Sequence, residues 1–175
     1  MIARQFLGLS IFIILCVSCV SNAVDKDLSC AERQKVVNSM ESGLKLDLEF
    51  DTLKVANLIK TYAEFSNACP NDSLTPEYLT RRADLLRGIG KIHEAIKQLL
   101  SVHDGFPNYD RNVMCALLVG YLYENELGDD EMAEKMYRNV IELYPDSREA
   151  EISRQSIKHL GISPEDVVRS FQVNN

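Results

Sequence analysis

Slid against itself by 38 positions, the chain meets its own image: Gly90 falls on Gly128, Ala95 on Ala133, Lys97 on Lys135, Val102 on Val140 and Pro107 on Pro145, with Phe106 on Tyr144. A repeat of this length constrains the fold more than any other feature, because it means one supersecondary unit used twice. In each copy a glycine lets the chain reverse between two helices. An alanine five positions later is small where helices cross closely, Leu99 or Tyr137 fills the hairpin core, and a proline stops the second helix. After residue 25 no stretch sustains strand-like alternation of apolar and polar residues. The predicted fold class is all-α.

Start and stop signals divide the chain into about eight helices. Ser29 with Glu32 forms a capping box and Gly43 offers a left-handed stop, which frames the first. A second covers 51–68 and ends before Pro70. Thr75 followed by Pro76 opens a third, closed near Gly88 and Gly90, and a fourth covers 92–103. Residues 110–126 make a fifth. Its run from Val113 to Tyr123 carries no charge, so it is expected to be buried all round. Asp129 caps a sixth helix reaching Tyr144, Asp146 or Ser147 caps a seventh ending at Gly161, and Ser163-Pro164 opens a short eighth. Short connections between them imply antiparallel hairpins.

These residues resemble the tetratricopeptide repeat family. Gly90, Ile92, Glu94-Ala95-Ile96, Leu99, Val102 and Pro107 follow the second half of that motif, with Ala83 and Leu86 at its small and apolar places in the first half. The second copy supplies Gly120 and Tyr123, then Gly128, Ala133, Tyr137, Val140 and Pro145. The best repeat matches are 76–109 and 110–147, followed by closing helices over 147–171. The repeat is longer than the family's period of about 34, so about one extra helical turn is expected in a longer fifth helix. The resemblance implies an α-solenoid that binds a protein or peptide on the concave face made by the first helix of each repeat. Carried onto this chain, that face comprises Glu77, Thr80, Asp84 and Arg87, then Met114, Tyr121, Glu124 and Asn125, with Leu117 either there or in the core. The Lys and Asn set with which some family members clamp C-terminal carboxylates is absent, since Thr80 and Asp84 stand there.

The N-terminal segment reads as an address. Arg4 precedes an apolar run from Phe6 to Val17 that is too short to span a bilayer, which needs about 20 residues. The end of this run, Leu15-Cys16-Val17-Ser18-Cys19, resembles a bacterial lipobox, although Cys16 stands where that motif prefers Leu. The resemblance implies a signal peptide over 1–18, lipidation of Cys19, a tether over 19–27 and a helical domain over 28–175. Val20 after the anchor implies the outer membrane, facing the periplasm, and an envelope protein or peptide as partner. Ser21-Asn22-Ala23 is an alternative cleavage site that would leave a secreted soluble protein.

Five cysteines are an odd number for an oxidising compartment. Cys16 would leave with the leader, Cys19 would carry lipid, and Cys115 lies in the apolar helix as a small hydrophobe. Cys30 begins the first helix and Cys69 ends the second. An antiparallel hairpin brings these ends together, so a disulfide is expected, with a pair of unlinked buried thiols as the alternative.

Chemistry is otherwise sparse. With 26 acidic against 19 basic side chains and a net charge of −7, the chain offers no broad basic surface for nucleic acid. His93-Glu94-Ala95-Ile96-Lys97 begins like a zinc-protease helix but has Lys where the second His is required. His93, His103 and His159 are scattered, and Asp129-Asp130-Glu131 lacks calcium-loop spacing and suits a helix N-terminus. The stretch from Arg87 to Ile92 lacks the spacing of a phosphate loop. No metal, cofactor or catalytic residue is expected, and the chain is read as a non-enzymatic scaffold, the alternative being a soluble secreted helical protein whose ligand pocket or enzymatic activity the sequence does not advertise. Asp72-Ser73-Leu74 resembles an O-glycosylation acceptor of exported proteins.

Overall fold

A computed structural model describes residues 28–45 and 51–162. Seven α-helices and one π-helical turn are found there, with no strand among the described residues. Helix α1 spans Cys30–Lys45, α2 Thr52–Ala68, α3 Thr75–Gly88, α4 Ile92–Gly105, α5 Asn112–Leu122, α6 Asp130–Leu143 and α7 Arg148–His159, with the π-helical turn at Tyr123–Leu127. The leader, Cys19 and the eighth helix expected at Ser163-Pro164 lie outside the described residues.

Local chemistry sets most helix ends. The Ser29 amide donates to the Glu32 carboxylate at 2.8 Å, while the Glu32 amide donates to Ser29 Oγ at 3.4 Å. Asp51 Oδ1 accepts from the amides of Leu53 and Lys54, Asp129 Oδ1 accepts from Met132, and Ser147 Oγ accepts from Ala150. Two expectations are corrected. Gly43 is not a stop: α1 runs past it to Lys45, and the left-handed glycines are Gly90, Gly128 and Gly161. Nor does Thr75 cap α3. It is the helix's first residue, and its buried hydroxyl instead donates to the Cys69 carbonyl at 2.6 Å, tying the loop back onto α2.

Each helix packs against the next, giving a stack of antiparallel hairpins α1–α2, α3–α4 and α5–α6, with α7 against α6 and α5. Among the positions matched by the internal repeat, the packing residues vanish from solvent, with Ala95, Ala133, Leu99, Tyr137, Val102 and Val140 all buried, while the glycines, lysines and prolines of the match stay exposed. The largest apolar cluster joins Val55 and Ile59 of α2 to Ala83 and Leu86 of α3, Ile96 and Leu99 of α4, and Val119 and Leu122 of α5. Each large aliphatic side chain so buried stabilises the fold by ~2 kcal/mol. No hairpin could gain this alone, because each one's apolar face is covered by its neighbour.

The extra length of the repeat is taken up in two places rather than one. Part lies in the π-helical turn that extends α5, as expected. The rest lies in the connection 106–111, which is longer than the corresponding connection 144–147. Asn112 holds that longer loop. It is buried, and its Nδ2 donates to the carbonyls of His103 at 2.7 Å and Phe106 at 3.0 Å. Tyr144, the residue matched to Phe106 in the repeat, closes the cluster by donating to Asn112 Oδ1 at 3.3 Å and lying 2.9 Å from His103 Nε2.

Cys30 and Cys69 are joined in a disulfide, their Cα atoms 5.9 Å apart, as the hairpin geometry predicts. Cys115 is free and buried. Its thiol lies 3.6 Å from the Thr80 hydroxyl, and burial raises its pKa, which keeps it an unreactive packing group.

Candidate functional site

Helices α3 and α5 lie side by side as the first helices of successive repeats, and a depression of about 240 Å³ opens between them. Asp84 and Arg87 of α3 form one wall, Leu118, Tyr121 and Leu122 of α5 the other, and Ala83 and Leu99 the floor. The helical period explains the wall: residues three or four apart share a face, and Asp84 and Arg87 are so spaced.

The structure sorts the eight groove candidates into five kinds. Asp84, Arg87 and Tyr121 come together around the depression, with Tyr121 41% exposed. Its exposure corrects the expectation that the uncharged run of α5 is buried all round. Cys115, Leu117, Val119 and Leu122 face the core, but the face carrying Tyr121 is the one a solenoid leaves open. Thr80 does not face the groove. It is 1% exposed, donates to the Pro76 carbonyl and packs on Cys115 of α5.

Met114 packs beside Leu117, Ala133 and Tyr137, and Glu124 accepts a hydrogen bond from the Tyr137 hydroxyl at 2.6 Å. These two side chains thus serve the α5–α6 contact, while Asn125 is exposed one turn beyond Tyr121, donating to its carbonyl. Glu77 sits at the far end of α3 in a charged network. Its Oε1 accepts from Arg81 at 2.8 Å, and its Oε2 accepts from the Tyr109 hydroxyl at 2.6 Å and from Arg111 at 3.4 Å.

Electrostatics follow from these contacts. Burial of Glu77 works against its ionisation, but the hydrogen bonds from Tyr109 and Arg81 and the charges of Arg81 and Arg111 outweigh it, holding its carboxyl below the ordinary value. Tyr109 is pushed up to about 12 by burial and by its bond to Glu77. Desolvation on the groove side lifts the Asp84 carboxyl, against the pull of Arg87 and Arg111. Arg87 also reaches Glu126 of the π-helical turn at 3.6 Å, bridging the two groove walls. The groove therefore offers an apolar floor, an aromatic edge and charges of both signs.

Several participants were invisible to residue spacing alone. Arg81 is legible as the partner of Glu77 four residues earlier, but its second partner, Glu41 at 2.7 Å, comes from α1. Tyr109 and Arg111 reach Glu77 from the connection 106–111, and no local signal marks that approach. Among the described residues no group of three or more His, Cys, Asp or Glu gathers to hold a metal. No described helix is long and apolar enough to cross a membrane. Ser73 is exposed in the turn before α3.

No curated protein matches this chain. Residues 115–147 do match a family model, described as Tetratricopeptide repeat. That segment comprises most of α5, the π-helical turn, α6 and the following connection, so it is the second copy of the repeat read from the sequence. Repeats of this kind generally mediate protein–protein interaction and are typically non-enzymatic. The chain is an all-α, tetratricopeptide-like solenoid whose residues 115–147 carry the repeat.

Proposed function

We propose that this protein is a non-enzymatic interaction scaffold of the bacterial cell envelope, lipid-anchored through Cys19 and facing the periplasm from the outer membrane. It offers the groove between α3 and α5 to a partner protein or peptide. The observation that carries the binding reading is the convergence of Asp84, Arg87 and exposed Tyr121 on one depression with an apolar floor. An aromatic and an arginine beside an apolar pocket are the residue types that dominate binding energy at protein interfaces. A segment of partner chain would seat one apolar side chain over Leu99 and Leu118 and present a carboxylate to Arg87. The envelope reading is supported by the lipobox-like sequence ending at Cys19 and by the disulfide between Cys30 and Cys69, a bond favoured in oxidising compartments.

The test is a pull-down from detergent-solubilised membranes with wild-type protein and with the double variant Tyr121→Ala, Arg87→Glu. Loss of a partner from the variant supports the groove, and equal recovery from both rejects it. For the anchor, Cys19→Ala should move the protein from the membrane to the soluble fraction. Unchanged fractionation would reject lipidation at this residue.

A further inference from the structure

The opposite side of α3 carries a second site that the groove does not use. At about 100° per residue, Leu79 and Arg82 point away from Thr80, Asp84 and Arg87. There, between α2 and α4, lies a cavity of about 440 Å³. Asn67, Arg82, Gln98 and Ser101 supply part of its polar lining, Leu79 and Phe106 part of its apolar lining, and no Asp or Glu lines it.

Arg82 is unlike its neighbours. Arg81, Arg87, Arg111, Arg138 and Arg154 each pair with a carboxylate, whereas Arg82, among the described residues, pairs with none. Its Nη1 donates to Gln98 Oε1, a neutral acceptor, and its Nε is buried with no hydrogen-bond partner. A half-buried guanidinium left with a neutral partner and an unsatisfied N–H is an arrangement folding does not favour by itself, since an unmade bond at a buried donor costs more than a made one returns. In a chain of net charge −7, a cavity with one cation and no lining carboxylate is also a local attractor for an anion.

We propose that this cavity binds a carboxylate carried beside an apolar group. The carboxylate would accept from Arg82 in the two-pronged manner that guanidinium geometry favours, with Asn67 and Ser101 as further donors. The apolar group would lie against Leu79 and Phe106. Both a protein C-terminus ending in an apolar residue and a free small acid have this chemistry.

Binding to the full-length chain in detergent is measured by calorimetric titration with N-acetyl-leucine, N-acetyl-leucinamide and a pentapeptide ending in a free leucine carboxylate. The carboxylates should bind at least about ten-fold more tightly than the amide, as expected for hydrogen bonds to a charged group. A pentapeptide tighter than acetyl-leucine identifies a protein C-terminus as the source, and equal affinities identify a small acid. Gln98→Glu gives Arg82 an internal carboxylate partner without opening a hole, so it should abolish binding while the protein stays folded by circular dichroism. Arg82→Gln should weaken binding by about ten-fold or more, and Arg138→Gln, remote on α6, should leave it unchanged. Equal affinity for acid and amide, or retained affinity in Gln98→Glu, would overturn the proposal. Recovery of the groove partner is read separately and does not bear on it.

Discussion

The Tyr137 ring on α6 lies against the backbone of Gly120 on α5, so close that a Cβ on the glycine would stand 2.6 Å from Cε1 and 2.7 Å from Cδ1. Real Cβ atoms do not tolerate such distances, and the buried ring has little room to retreat. Its hydroxyl is fixed by Glu124, and its edge packs on Ala133 and Leu117. Two positions 17 apart in sequence thus set the spacing of the α5–α6 hairpin.

Gly120→Ala should therefore destabilise the protein by about 1–3 kcal/mol, the usual cost of overpacking a filled core. Gly43 provides the contrast. It lies inside α1 with nothing near its missing Cβ, so Gly43→Ala should stabilise by ~0.5–1 kcal/mol. Urea denaturation of both variants checks the pair, and an unchanged midpoint for Gly120→Ala would remove the packing argument.

The disulfide closes a loop of 39 residues around the first hairpin. On the chain-entropy model, its loss in Cys30→Ser with Cys69→Ser should cost ~4 kcal/mol, because the unfolded hairpin regains its freedom. Thermal melts under oxidising and reducing conditions measure this directly. Reducing agent should shift the wild type and leave the double variant where it is.

Asn112 supplies two hydrogen bonds, to the carbonyl of His103 in the last turn of α4 and to that of Phe106 in the connection between repeats. Truncation in Asn112→Ala leaves those acceptors without it in a buried place, at a cost of about 1–3 kcal/mol. Hydrogen exchange should show faster opening around 103–112 than elsewhere. Protection that falls evenly along the chain would argue that Asn112 is an ordinary core residue rather than a local latch.

Glu77 makes stability depend on pH with a definite sign. Its folded pKa is depressed below the ordinary 4.5, so its contribution is present above that value and is lost as pH falls through the lower folded value. Melting temperature should therefore drop on going from about pH 7 to about pH 3, and drop less in Glu77→Gln. Tyr109→Phe removes one of the stabilising bonds and should shrink the pH-dependent difference. Parallel pH profiles for wild type and Glu77→Gln would show that the network around Arg81 is inert.

The helices and their ends were legible because their causes are local. Capping pairs such as Ser29 with Glu32, Asp129 with the Met132 amide, and left-handed Gly90 and Gly128 act within a turn, and the repeat marks which residues must be buried. Gly43 and Thr75 show the limit. Each is a plausible boundary by itself, but the first was absorbed by a longer helix and the second was drawn onto the Cys69 carbonyl.

Sequence by itself determined an all-α stack of antiparallel hairpins and raised the pairing of Cys30 with Cys69 as an expectation, while the face of α3 that carries Asp84 and Arg87 came from the resemblance to tetratricopeptide repeats. Periodicity, caps and hairpin antiparallelism operate over short stretches of chain. Only the tertiary structure decided which of the candidate groove residues are available: Tyr121 open to solvent, Thr80 sealed against Cys115, and Glu124 held by Tyr137. It also decided that Arg81 meets Glu41, that Tyr109 and Arg111 reach Glu77, and that Arg82 meets no carboxylate among the described residues. Those outcomes depend on how closely and at what rotation successive helices stack. That is set by the volumes of buried side chains on both partners, such as Gly120 beneath Tyr137, and no single helix encodes it.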